Sequence, residues 1–138
     1  MIEDREWGER SQAVYNTLDP RLQHIMDRVL HEVSDVSLIS GHRNKNEQSR
    51  MFLLGRSKLE WPKSKHNSNP SLAVDFAPFP YPRETYRLWG ALGYIAGAAL
   101  RIAKEEGVRL RWGGDWNCNG SLVDQNFDDL FHLEIQDE

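Results

Sequence analysis

The sequence of 138 residues contains one cysteine, Cys118. A lone thiol closes no internal disulfide and builds no Cys-x-x-Cys metal knuckle, so disulfide-stapled and cysteine-rich zinc classes are excluded. Long apolar runs are also missing. The longest charge-free one, Leu88 to Leu100 between Arg87 and Arg101, has 13 residues, whereas a bilayer-spanning helix needs about 20. It reads as a core helix, and no membrane insertion is expected. Nor does one sign of charge dominate. With 17 basic and 21 acidic residues the net charge is -4, which offers nucleic acid or an anionic membrane no general attraction. Glycine and proline, at 10 and 6 positions, are too few for a collagen-like or low-complexity chain. The opening MIEDREWGER mixes both signs where a secretory signal needs a cationic start and an apolar run, so synthesis without an export tag is expected.

What is present suits one folded domain, 1–138, with a core over about 20–135 preceded by an N-terminal extension, 1–18. Asp19-Pro20 followed by Leu22, Ile25, Met26, Val29, Leu30 and Val33 predicts a helix over about 20–33. Val36 to Ser40 alternates with period two and predicts a strand. Asn44 and Glu47 have capping-box spacing, opening a short helix that stops at Gly55. Residues 56–71 turn to Lys, Ser, Asn and Pro, a segment longer than most structural connections. Strands are predicted at 72–77, 108–112 and 131–135, and a long helix at about 83–106. That helix holds Gly90, Gly93 and Gly97, whose propensity cost implies close packing on a sheet. The expected architecture is α+β, a small, mainly antiparallel sheet packed with helices.

Two histidines stand apart from the others. His24 and His31 fall in the first amphipathic helix and His42 follows the first strand, where solvent-facing or capping roles are ordinary. His66 lies nine residues before Asp75, a carboxylate in an otherwise apolar strand. Ala73, Asp75 and Ala77 share one strand face, and the alanines leave room beside the carboxylate. In Phe131 to Ile135 the apolar residues face one side, and His132 and Glu134 the other. If the two strands pair, the His132 imidazole and the Asp75 carboxylate can converge, and with His66 the set is two histidines plus one carboxylate. That is the ligand set of an open zinc site. A hydrogen-bonded His-Asp pair without a metal satisfies the same spacing.

The ordered blocks Ser64-x-His66, Ala73-Val74-Asp75-Phe76-Ala77-Pro78, Leu110 to Trp116, and Asp129-x-x-His132-x-Glu134 resemble the phage endolysins that act as L-alanyl-D-glutamate peptidases. These belong with the VanY-type D-alanyl-D-alanine carboxypeptidases, whose fold is similar to that of the hedgehog signalling domain. The resemblance covers about residues 20–135. It implies one Zn2+ held by His66, Asp75 and His132, with Asp129 as the catalytic carboxylate. Arg43 matches the family arginine that holds substrate, and Ser64 matches a serine that binds substrate or supports a ligand. The sequence departs from the commoner pattern in one place, carrying Asn69 where a glycine usually stands and a loop two residues longer.

Peptidoglycan stem peptides are therefore the expected partner, cleaved by water that zinc activates, with Asp129 moving the proton. A monomer is expected, made in the host cytoplasm and reaching the wall after the membrane is permeabilised. Glu134 could orient His132. Trp112 and Trp116, flanking Gly113-Gly114-Asp115, could wall a substrate groove, although Trp112 could equally end a strand in the core. Arg56, Lys58, Lys63 and Lys65, set against Glu60, could guide an acidic polymer or simply be solvated. Alternatives are a D-Ala-D-Ala carboxypeptidase of the same family, a non-catalytic hedgehog-like zinc module, and a thiol hydrolase using Cys118 with His132 as base.

Overall fold

The computed structural model describes residues 4–121 and 129–137. Between the strands predicted at 108–112 and 131–135 the sequence is expected to form a polar loop over 113–130, of which 122–128 lie outside the described residues. In chain order the elements are α1 (Glu9–Tyr15), α2 (Pro20–Glu32), β1 (Val36–Ser40), α3 (Lys45–Leu53), β2 (Ala73–Pro78), α4 (Thr85–Glu105), β3 (Leu110–Gly113) and β4 (Asp129–Ile135), with a one-turn 3-10 helix at Lys65–Asn67. The strands form one antiparallel sheet in the order β1-β2-β4-β3.

Local chemistry sets the boundaries. Asp19 accepts a hydrogen bond from the Arg21 N–H with Pro20 in the first turn of α2, and the Asn44–Glu47 capping box opens α3 from both sides. The α2 stripe Leu22, Ile25, Met26, Val29 and Leu30 is fully buried. It packs with α4, which lies on β2, β3 and β4. Strand parity does the rest. Val74 and Phe76 of β2, Leu133 and Ile135 of β4, and Leu38 of β1 join the helices in one core, so their neighbours Asp75, His132 and Glu134 turn to the other face.

Two features depart from expectation. The stretch 1–18 contains α1, which packs against β1; Ser11 Oγ accepts the Leu38 N–H at 3.0 Å. Trp7 and Tyr15 both donate to the Asp27 carboxylate, and Leu18 is buried in the core. The glycines of α4 do not make the close approach inferred for them. A Cβ built at Gly90, Gly93 or Gly97 meets nothing within 4 Å. The small residues that let α4 sit close to the sheet are Ala96, Ala99 and Ala103, all buried.

Candidate metal centre and active site

β2 and β4 pair with Asp75 directly opposite His132 and Ala73 opposite Glu134. This register puts the Asp75 Oδ1 atom 3.1 Å from His132 Nδ1. The third member arrives from the long loop. Ser64 caps the 3-10 turn by accepting the His66 N–H at 3.2 Å, and Asn67 Oδ1 accepts the Ser64 N–H in return. The turn is pinned to the segment that follows β1, because Arg43 N–H donates to the His66 carbonyl at 2.8 Å. His66 Nε2 then lies 3.2 Å from Asp75 Oδ1 and 3.3 Å from His132 Nδ1.

The protons on these rings follow from their outer partners. His66 Nδ1 lies 2.6 Å from the Gly41 carbonyl, which can only accept, so Nδ1 carries the hydrogen and Nε2 presents a lone pair. Gly41 is needed there, since a Cβ would lie 2.3 Å from Thr17 Oγ1. His132 Nε2 donates to Glu134 Oε1 at 2.8 Å, which frees Nδ1 to face inward. Glu134 is in turn held by Arg111 Nη2 at 2.7 Å. Burial pushes the Glu134 carboxyl up, but bonds from His132 and Arg111 outweigh this and hold it below the usual carboxylate range.

Three inward-facing ligand atoms thus form a triangle with edges of 3.1, 3.2 and 3.3 Å. A tetrahedral ion with bonds of roughly 2.0–2.1 Å sets its ligands about 3.3 Å apart, so the residues present fit such an ion. The electrostatics agree. Burial alone would raise the Asp75 carboxyl, yet whenever the two rings also carry a proton on their inward nitrogens, hydrogen bonds from His132 and then His66 keep it well below the ordinary range. Burial alone would lower His132, yet Asp75 and Glu134 draw it up to about 9. The centre favours positive charge.

Asp129 begins β4 and lines the same cavity of about 390 Å³ as His66, His132 and Trp116. Burial, and then the charge of Asp75, push its carboxyl upward. Its backbone is held by close contact with β3, for a Cβ at Gly113 would fall 2.0 Å from the Asp129 carbonyl oxygen.

Arg43 and Ser64 also line this cavity, but both are engaged by the site itself. Arg43 Nη2 holds the outer oxygen of Asp75 at 3.0 Å, while Ser64 caps the His66 turn. Trp116 stands against His132 with ring centroids 5.4 Å apart, and Arg111 lies over the Trp116 ring. Trp112 is not a groove wall. It pairs with Leu133 on the helix-facing side, is buried in the core and donates to the Leu130 carbonyl. Asp115 lies outside the cavity lining and accepts the Gly120 N–H within its turn. Cys118 is exposed and also absent from that lining, and both His132 nitrogens are committed elsewhere, so nothing assembles a thiol pair. His24, His31 and His42 take surface or capping contacts with Glu106, the Arg5 carbonyl and the Ser68 carbonyl.

Sequence reasoning missed Gln48. It is fully buried, accepting from Arg43 Nη1 and Asn67 Nδ2 and donating to Ser57 Oγ and the Leu59 carbonyl. This one amide ties α3, the long loop and the arginine behind Asp75 together.

An α+β fold with a two-histidine, one-carboxylate centre beside a half-buried acid defines the class as a peptidase built around a candidate metal site. The chain belongs, more narrowly, to the phage L-alanyl-D-glutamate peptidase family, whose model matches residues 5–135. It is 32% identical over 123 residues to the L-alanyl-D-glutamate peptidase of Escherichia phage T5, covering 87% of this chain and 88% of that one. Among solved structures it is similar to the Serratia marcescens L-Ala D-Glu endopeptidase ChiX, with a TM-score of 0.73 and 25% identity over 98% of this chain and 92% of that one.

Proposed function

We propose that this chain is a zinc-dependent peptidoglycan hydrolase that cuts the L-Ala-D-Glu bond of cell-wall stem peptides. His66, Asp75 and His132 would hold the ion, and Asp129 would move the proton. The observation that carries this reading is the triangle of ligand atoms with edges of 3.1–3.3 Å, opening on the cavity that Asp129 lines. The soft-to-borderline imidazole pair and single carboxylate suit zinc. When bound, zinc supplies Lewis acidity, which makes water a nucleophile near neutral pH and polarises a scissile carbonyl.

The chain's own side chains do the rest. Asp129, which lines the same cavity and is raised by burial and by Asp75, would take a proton from the attacking water and return it to the leaving amine. Glu134 fixes the His132 ring, and the Gly41 carbonyl fixes that of His66. Arg43 positions Asp75, so that only one of its oxygens faces the imidazoles. Trp116 helps wall the reacting groups from solvent.

The test is digestion of purified peptidoglycan, with the new amino terminus read by mass spectrometry. A D-Glu amino terminus is expected; release of terminal D-Ala would select the carboxypeptidase reading instead. Dialysis against chelator should abolish hydrolysis and zinc should restore it. Asp129→Asn should retain bound zinc while losing about 10²- to 10⁴-fold in turnover. A variant that keeps full turnover would remove Asp129 from the chemistry, and a chelator-insensitive protein would remove the metal.

A further inference from the structure

The cleft has two unlike halves that meet at the triad. On one side is the cavity of about 390 Å³ lined by His66 and His132, with Arg56, Lys63 and Arg111 around it. Its acidic lining residues are Asp129 and Glu134, and Glu134 is already committed to His132 and Arg111. On the other side is a cavity of about 330 Å³ reached past Asp75, whose lining beyond the charged residues at its mouth is Ile39, Met51, Ala77, Tyr81 and Phe131. Arg43, Arg56 and Asp129 line both, which marks the junction. Arg56 and Lys63 are exposed, and no ion pair holds either side chain among the described residues.

A stem peptide has the same asymmetry. On the amino side of the L-Ala-D-Glu bond lies a small apolar residue joined to an uncharged lactyl amide. On the carboxyl side, D-Glu continues through its side-chain carboxyl and leaves its α-carboxylate free beside the scissile bond. We infer that the substrate lies with its D-Glu side in the basic half, where Arg56 and Lys63 recognise that free α-carboxylate, and its L-Ala side against Ala77 and Tyr81. Charge-assisted hydrogen bonds of this kind distinguish a carboxylate from its amide. The enzyme is therefore selective for stem peptides whose D-Glu is not amidated. This rests on the L-Ala-D-Glu reading above.

The experiment compares kcat/KM of the zinc-loaded full chain on two synthetic peptides, L-Ala-γ-D-Glu-L-Lys with an acylated amino end, and the same peptide with the D-Glu α-carboxyl as its amide. The carboxylate should be preferred about tenfold, and the preference should shrink as salt rises. In Arg56→Gln/Lys63→Gln the ratio should fall toward one, chiefly through a higher KM for the carboxylate peptide. Equal rates on the two peptides with the unaltered chain, or an undiminished ratio in the double variant, would overturn the inference while leaving L-Ala-D-Glu cleavage intact. Failure to cut either peptide would instead sink the functional reading beneath it. Both substituted side chains are exposed, so folding is expected to survive and circular dichroism checks it.

Discussion

The two faces of the sheet are made of neighbouring residues on the same strands, yet they are held by different physics. On the helix side Phe76, Leu133 and Ile135 are fully buried among aliphatic groups, and that face stabilises the chain by removing apolar area from water. On the other side Asp75, His132 and Glu134 are also shielded, but each is bound by a charged or polar partner. Burying such groups costs free energy unless every partner is present. One face makes the protein fold, and the other holds a preorganised centre that the fold must carry. Asp75 and Phe76, adjacent in β2, put the difference to its sharpest test. Phe76→Ala should lower the unfolding free energy by about 3–5 kcal/mol. Asp75→Asn should abolish zinc binding and turnover, while unfolding closer to chelator-treated unaltered protein than Phe76→Ala does. Denaturant melts with metal analysis check both. Equal destabilisation by the two would show that the faces are not separable.

A smaller effect is expected at the side chain behind His132. Glu134 touches His132 Nε2 and Arg111, so Glu134→Gln keeps the shape but weakens the grip on the ring and lowers the basicity of the inward Nδ1. Zinc affinity should fall about 10- to 100-fold, measured by competition with a chromophoric chelator. An unchanged affinity would mean that strand pairing alone orients His132.

How much of this was legible from residues alone follows the same division. The helix-facing side was open to reading, because burial imprints a period: the α2 stripe, the alternation in β1 and the Asn44–Glu47 box all specify local structure without reference to anything distant. Asp75 and His132 were visible as polar residues in apolar strands, helped by the family resemblance; closure of the triad by the 3-10 turn depends on distant partners such as Gly41, 25 residues from His66 in sequence. Gln48 carries no local mark, since a glutamine in a short polar helix looks solvated until the long loop folds over it. Trp112 was ambiguous because a strand-end tryptophan is read only through parity, and its pairing with Leu133 settled that. The helix α1 was missed because its seven residues bury Ser11 rather than an apolar stripe.

The smallest expected effect lies on the outward face of α4, where the sequence argument gave the wrong sign. Gly90, Gly93 and Gly97 were read as points of close approach, which would make any added side chain costly. Their built Cβ positions instead meet nothing within 4 Å, while the small residues that α4 does bury are Ala96, Ala99 and Ala103. With no clash to offset it, glycine's backbone freedom in the unfolded chain is simply a loss to the helix. Each of Gly90→Ala, Gly93→Ala and Gly97→Ala should therefore raise the unfolding free energy by about 0.4–1 kcal/mol, with hydrolysis unchanged because none lines the cleft. If the substitutions destabilise the chain, the outward face of α4 is not open after all, and the apolar side of the comparison extends around the helix.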